Sequence, residues 1–218
     1  MNTKNKFPIL DYEQILNTRD TIHSYARFIG AIRAKMTPQQ KDYWHTSLQT
    51  GPQGFRTTPI PNVDGNTFEL SLNLLSHIAH ISSSTGYEES IPLNGQSISE
   101  LSSEILSVLE SMNISPDIEI EKFKDNSYLE YYPDIASEIF RSYSLIDSIF
   151  KTFKGTITCE TSPVQLWPHH MDIAFTRYTR SKDNMEQIAF GYLTGDAEIE
   201  EPYFYITVYP ELENHGQI

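Results

Sequence analysis

Apolar residues recur at helical spacing from Asp11 to about Lys35, at Ile15, Leu16, Ile22, Ala26, Ile29 and Ile32. The pattern predicts one long amphipathic helix. Thr37-Pro38 closes it, because the residue before a proline is pushed out of the helical region. Ser97-Ile98-Ser99-Glu100 fits a capping box, followed by an apolar stripe at Ile98, Leu101, Ile105, Val108, Leu109 and Met112. Pro133 suits the first turn of a third helix. Ile135, Ile139, Phe140, Tyr143, Ile146, Ile149, Phe150 and Phe153 form its apolar face, and Gly155 stands where a C-terminal cap belongs.

Elsewhere the period is two. Phe68, Leu70, Leu72 and Leu74 alternate with Glu69, Ser71 and Asn73, which predicts a half-buried strand. At Leu75 the alternation slips by one residue, through His77, Ala79 and Ile81, and a bulge near Leu74–Ser76 would explain it. Phe55–Ile60, Glu88–Leu93 and Asp117–Glu121 read as short extended segments. From Val164 onward the chain is strand-like, with candidates at Val164–Trp167, Asp172–Tyr178, Gln187–Leu193 and Tyr203–Tyr209. A mostly antiparallel sheet with about three long helices packed on it buries both element types, so the predicted class is α+β. Helix, Trp-His segment and strands are echoed by helix, Trp-Pro-His-His segment and strands, which raises the alternative of two pseudo-equivalent halves. Residues 11–210 are expected to form a single domain, with tails at 1–10 and 211–218.

Composition narrows the function classes. The 218 residues include 29 Asp and Glu against 16 Lys and Arg, for a formal charge of −13. That balance argues against nucleic acid and anionic membrane as partners, which require a basic surface. No apolar run is long enough to span a bilayer, and no apolar stretch of the secretory kind follows Lys4 and Lys6. The lone cysteine, Cys159, permits no intrachain disulfide, and it reads as a small packed residue. These features point to the cytoplasm. Oligomeric state is not legible. Phosphate loops, dinucleotide fingerprints, the serine-hydrolase elbow, His-Glu-x-x-His and paired-cysteine zinc motifs are missing from the sequence.

The densest polar cluster is Trp167-Pro168-His169-His170-Met171-Asp172. If it is a strand, His170 and Asp172 share one face about 7 Å apart at Cα. His169 would then lie on the apolar face with Met171 and Ile173. The His170–Asp172 spacing allows joint metal ligation or a carboxylate that orients an imidazole. Equally, it fits a hydrogen-bonded structural pair. Gly195-Asp196, Glu198, Glu200 and Glu201 follow, and Glu201 could complete a metal set of His170, Asp172 and Glu201. Tyr203, Tyr205 and Thr207 share a face of the last strand, fitting either an aromatic-lined cavity or a sheet surface covered by a helix. In the first half, Trp44 and His45 stand together, and Arg56 is either an anion anchor or the partner of a nearby carboxylate. His77 and His80 read as structural.

As a set, Tyr43-Trp44-His45-Thr46-Ser47-Leu48, Gly54-Phe55-Arg56-Thr57-Thr58-Pro59-Ile60-Pro61, Ser162-Pro163-Val164-Gln165-Leu166-Trp167-Pro168 and Glu201-Pro202-Tyr203-Phe204-Tyr205 resemble a family of bacterial proteins of unknown function. The resemblance runs from about Tyr12 to Pro210. Members similar to this chain carry Trp-Gly or Trp-Pro before a Phe-Asp-Leu-Ala strand; here Met171 replaces the aromatic and Asp172 matches the acid. The resemblance implies one compact domain and supplies no mechanism.

Two readings follow. In the first, Trp44, His45, Arg56, Trp167, His170, Asp172, Asp196, Glu201, Tyr203 and Tyr205 converge on a small-molecule or divalent-metal cleft, with hydrolysis as a candidate reaction. His45, His170 and Asp172 would carry the acid–base chemistry, and Trp44, Arg56, Trp167, Asp196, Tyr203 and Tyr205 would bind the ligand. Imidazole with carboxylate suits zinc, manganese or iron better than calcium. In the second, the tyrosine-rich sheet and other aromatics serve protein interaction or self-association without catalysis.

Overall fold

A computed structural model describes residues 7–180 and 185–210. Helix α1, Tyr12–Met36, starts where the Asp11 side chain accepts the Gln14 N–H, and ends at Thr37, whose backbone is extended. Ile15, Ile22, Ala26, Ile29 and Ile32 are buried as their spacing requires. Helix α2, Ile98–Ser111, carries the complete Ser97–Glu100 capping box. Helix α3, Pro133–Lys154, has proline in its first turn and caps at Gly155, which stays in the right-handed region. No described helix is long and apolar enough to cross a membrane.

Among the described residues the strands are, in chain order, β1 Gln49–Thr50, β2 Gly54–Arg56, β3 Ile60–Pro61, β4 Thr67–Asn73, β5 Ile78–Ser83, β6 Glu88–Pro92, β7 Gln165–Trp167, β8 Asp172–Arg180, β9 Met185–Leu193 and β10 Tyr203–Tyr209. One sheet runs β1-β2-β4-β5-β6, with β3 also on β4; the other runs β10-β9-β8-β7. All pairings are antiparallel. The fold is α+β. The sheets meet at one seam, where Leu48 N–H donates to Leu166 O at 2.7 Å and Leu166 N–H donates to Leu48 O at 2.9 Å. Both leucines are fully buried, and one contiguous core spans the two halves. The first sheet has six described strands and the second four, so the pseudo-equivalent halves are not confirmed.

Behind the seam lies a polar knot. Gln165 Nε2 donates to Ser47 Oγ at 2.6 Å, and Arg33 Nη1 approaches the same oxygen at 3.4 Å. Arg33 is buried, and that burial pulls its guanidinium down to about 10.

Several elements differ from the sequence reading. The slip at Leu75 is a tight hairpin rather than a bulge: Asn73 Oδ1 accepts the N–H groups of Leu75 and Ser76, and His77 adopts φ 57°. His77 therefore lies in the turn, bonded to Tyr131 at 2.9 Å. The predicted Phe55–Ile60 strand is broken into β2 and β3. At the break the buried Thr57 hydroxyl, in place of a carbonyl, accepts the Leu70 N–H at 3.1 Å. Asp117–Glu121 is not a strand. It is a loop entering a 3₁₀ turn, Ile120–Phe123, anchored by Phe123 against Phe28 of α1, with ring centroids 5.1 Å apart. Of the expected tails, 1–6 and 211–218 lie outside the described residues. Phe7 packs on Tyr192, and Leu10 joins the core.

Candidate functional site

Trp167 ends β7 and Pro168–Met171 form a turn, so the Trp-Pro-His-His segment does not run on as a strand. Met171 N–H donates to Trp167 O at 2.8 Å, and Met171 sits at φ 58°. Strand alternation therefore does not govern His169 and His170, which are both exposed. Asp172 opens β8 and is buried. Its carboxylate accepts the Tyr205 hydroxyl at 2.5 Å. Burial pushes Asp172 above the usual carboxylate range, against the opposing pull of Tyr205 and of the charges of His169 and His170.

Tyr205 reaches Asp172 across a glycine. In the ladder Tyr205 faces Gly191, and a Cβ there would lie 2.0 Å from the tyrosine ring. Nearby, Tyr203 donates to Asp196 Oδ2 at 2.6 Å, while Asp196 Oδ1 accepts the N–H groups of Glu198 and Ile199. These hydrogen bonds hold Asp196 below its ordinary range, with the Tyr203 hydroxyl first among them. Asp172, Asp196, Tyr203 and Tyr205 thus gather at one end of the four-stranded sheet as two tyrosine–carboxylate pairs.

Of the remaining candidates, Trp167 on β7 is the ladder partner of Asp172, whereas Trp44, His45 and Arg56 lie in other segments. Trp44 and His45 belong to the 3₁₀ segment Lys41–Thr46, where His45 Nδ1 accepts the Gln40 N–H at 3.3 Å. Arg56 lies in the other sheet, 3.6 Å from Glu69. Trp167 packs edge-on against His169, with centroids 5.9 Å apart. Glu201 is exposed just before β10. Among the described residues no group of three His, Cys, Asp or Glu side chains is placed to share a metal ion. The set His170, Asp172 and Glu201 is corrected accordingly. The turn leaves the His170 ring against His169, the Asp172 carboxylate is engaged by Tyr205, and Glu201 stands in solvent.

An open apolar cleft lies on the other side of the Pro168–His169 turn. Its volume is about 760 Å³, counted out to open solvent. Gly30, Ala31 and Ala34 of α1 form its floor, with Ile118, Phe123 and Pro168 as walls. Arg27, Lys35 and Lys122 stand on its rim with Glu119 and His169. Residues 27, 30, 31 and 34 lie on one stripe of a helix, so α1 presents small side chains between two cations. Lys122 pairs with Glu119 at 2.7 Å. That contact first, and the Lys35 charge from across the cleft last, hold Glu119 below its usual range. Partial desolvation and the neighbouring His170 hold His169 below the usual histidine range. Among the described residues neither Arg27 nor Lys35 has a carboxylate within ion-pair distance.

Sequence reasoning missed this cleft. The small-residue stripe on α1 was readable. The wall was not, because Ile118 and Ile120 alternate like a strand.

A family model described as a family of unknown function, DUF5996, matches residues 7–217. The chain belongs to that family. No curated protein and no solved structure matches it.

Proposed function

We propose that this protein binds a small molecule in the cleft between α1, the 118–123 segment and the Pro168–His169 turn. The observation that carries the reading is the cleft's construction. Four segments distant in sequence line a largely apolar floor on which Thr46 is the one hydroxyl, and the charged groups Arg27, Lys35, Glu119 and Lys122 stand exposed around it. Binding sites for small molecules are commonly concave, apolar and edged by a few oriented polar groups. The Asp172–Tyr205 and Asp196–Tyr203 pairs then serve as structural ties that fix the start of β8 and β10. The test uses 1-naphthoate as probe, read by its fluorescence. Ala31→Trp fills the floor and is expected to abolish binding while the circular-dichroism spectrum is retained. Unchanged affinity in that folded variant would refute the site.

A second reading, self-association, has its own support. Among the described residues β10 pairs with β9 alone, so its outer edge is unpaired. Phe204, Ile206 and Tyr209 on it are 59%, 65% and 67% exposed. Edge strands are usually guarded by charge or proline. β6, at the opposite end, carries Glu88, Glu89 and Pro92, whereas Tyr203–Tyr209 contains neither. Paired antiparallel with a second copy about Ile206, β10 would set Phe204 against Val208 and Tyr205 against Thr207. Apolar side chains would then meet apolar ones on one face. Light scattering of the parent and of Ile206→Lys tests this: a dimer converted to a monomer supports it, and a monomeric parent at 100 µM, on the order of the affinity such an edge would need, removes it.

A further inference from the structure

We infer that the ligand of the α1 cleft is an anion with an apolar body: a carboxylate, phosphate or sulfonate head on an aromatic or short aliphatic group. The inference rests on the binding reading given above and specifies its chemistry.

Charge carries the argument. The chain holds 29 acidic and 16 basic side chains. Around this one cleft the ratio inverts, with Arg27, Lys35 and Lys122 against Glu119 alone. Lys122 is engaged by Glu119 at 2.7 Å, but Arg27 and Lys35 lack such partners among the described residues. In so acidic a protein, unpaired cations on both sides of a concave surface leave a local positive field at its mouth. Glu119 is itself a carboxylate held at this rim, drawn by Lys122 and by Lys35. A ligand carboxylate would take up the same kind of contact with Lys35 and Arg27.

The floor supplies the other half. Gly30, Ala31 and Ala34 offer no hydrogen-bonding side chain, Ile118, Phe123 and Pro168 add only apolar surface, and Thr46 brings the one hydroxyl of the lining. A simple inorganic anion would leave that surface wet. A neutral apolar molecule would leave the cations unused. An anion with a hydrocarbon or aromatic portion satisfies both at once, head at the rim and body on the floor. Arg27 suits such a head because its planar guanidinium can meet two oxygens together.

The experiment holds the apolar body constant and changes the head. Binding of 1-naphthoate, 1-naphthyl phosphate, 1-naphthamide and 1-naphthylmethylammonium is measured by calorimetry on the full chain. The expected order is phosphate and carboxylate above amide, with the ammonium weakest. Lys35→Glu and Arg27→Glu are each expected to weaken 1-naphthoate on the order of fivefold and to leave 1-naphthamide unchanged. The naphthoate affinity should also fall as salt rises from 0.05 to 0.5 M, roughly the range over which screening sets in. If the amide binds as tightly as the carboxylate and Ala31→Trp expels both, the site stands and the anion inference falls. Should no member bind, or should Ala31→Trp leave all of them bound, the site itself falls. The charge variants lie on exposed positions, so melting temperatures near the parent's exclude misfolding as the cause.

Discussion

Gly30 of α1 and Pro168 of the β7–β8 turn touch so closely that a Cβ on Gly30 would lie 2.7 Å from Pro168 Cγ. That approach brings the turn, and His169 with it, to the wall of the cleft. A glycine within a helix costs about 1 kcal/mol relative to alanine, so its use here marks a place where backbone needs to come near.

Gly30→Ala should therefore not gain the usual helical benefit. Crowding the buried Pro168 ring costs about 1–3 kcal/mol, which exceeds the propensity gain. The expected net is a loss of about 1 kcal/mol in urea unfolding, together with weaker 1-naphthoate binding. A variant more stable than the parent would contradict this packing account.

Tyr205→Phe removes the hydroxyl that donates to Asp172. Hydrogen bonds to a charged group contribute about 1.5–3 kcal/mol, and the buried carboxylate would then lack that donor. A loss of that order is expected at pH 7, shrinking as Asp172 becomes protonated.

Asp172 also sets a pH dependence. Burial raises its folded pKa above the unfolded value. The stability it contributes is thus fully present below the unfolded pKa and is lost as pH rises through the folded one. Compared with Asp172→Asn, which does not titrate, the parent should gain stability as pH is lowered from 7 toward 4. Paired denaturation curves at pH 7 and 4.5 measure the difference, and a parent that loses ground to the variant on acidification would reverse the assignment.

Thr57 tests the broken strand. Its hydroxyl alone accepts the Leu70 N–H between β2 and β3. Thr57→Val keeps the shape and strands that buried donor, at about 1–3 kcal/mol. Thr57→Ser should recover most of the loss. Equal stability of the valine and serine variants would show that the bond is dispensable.

Much of this fold was legible in the chain. Helices α1, α2 and α3 announced themselves through spacing, the Ser97–Glu100 box and Pro133. Strand β4 followed from alternation, and β8 to β10 from the strand-like composition of the chain after Val164. Errors fell where short apolar alternation had another cause. Ile118 and Ile120 alternate because a loop is pinned beside α1, not because a ladder exists. His169 and His170 were assigned faces of a strand that is a turn, closed by Met171 in the left-handed region. Asp172, Asp196, Tyr203 and Tyr205 were foreseen only as four of ten residues expected to line one cleft with Trp44, His45, Arg56, Trp167, His170 and Glu201. Their partners were not, because Tyr205 reaches Asp172 only over the bare backbone of Gly191. The cleft was hidden for a related reason: it needs Arg27, Lys122 and His169, from three segments whose meeting depends on Phe123 seating on Phe28 and Pro168 on Gly30.

The central claim is that ligand binds between α1 and the Pro168–His169 turn. The most direct measurement is the amide NMR spectrum of the full chain titrated with 1-naphthoate. Saturable shifts concentrated at residues 27–35, 118–123 and 168–170 are the predicted result. Shifts confined to β10, or spread without saturation over the surface, would contradict it.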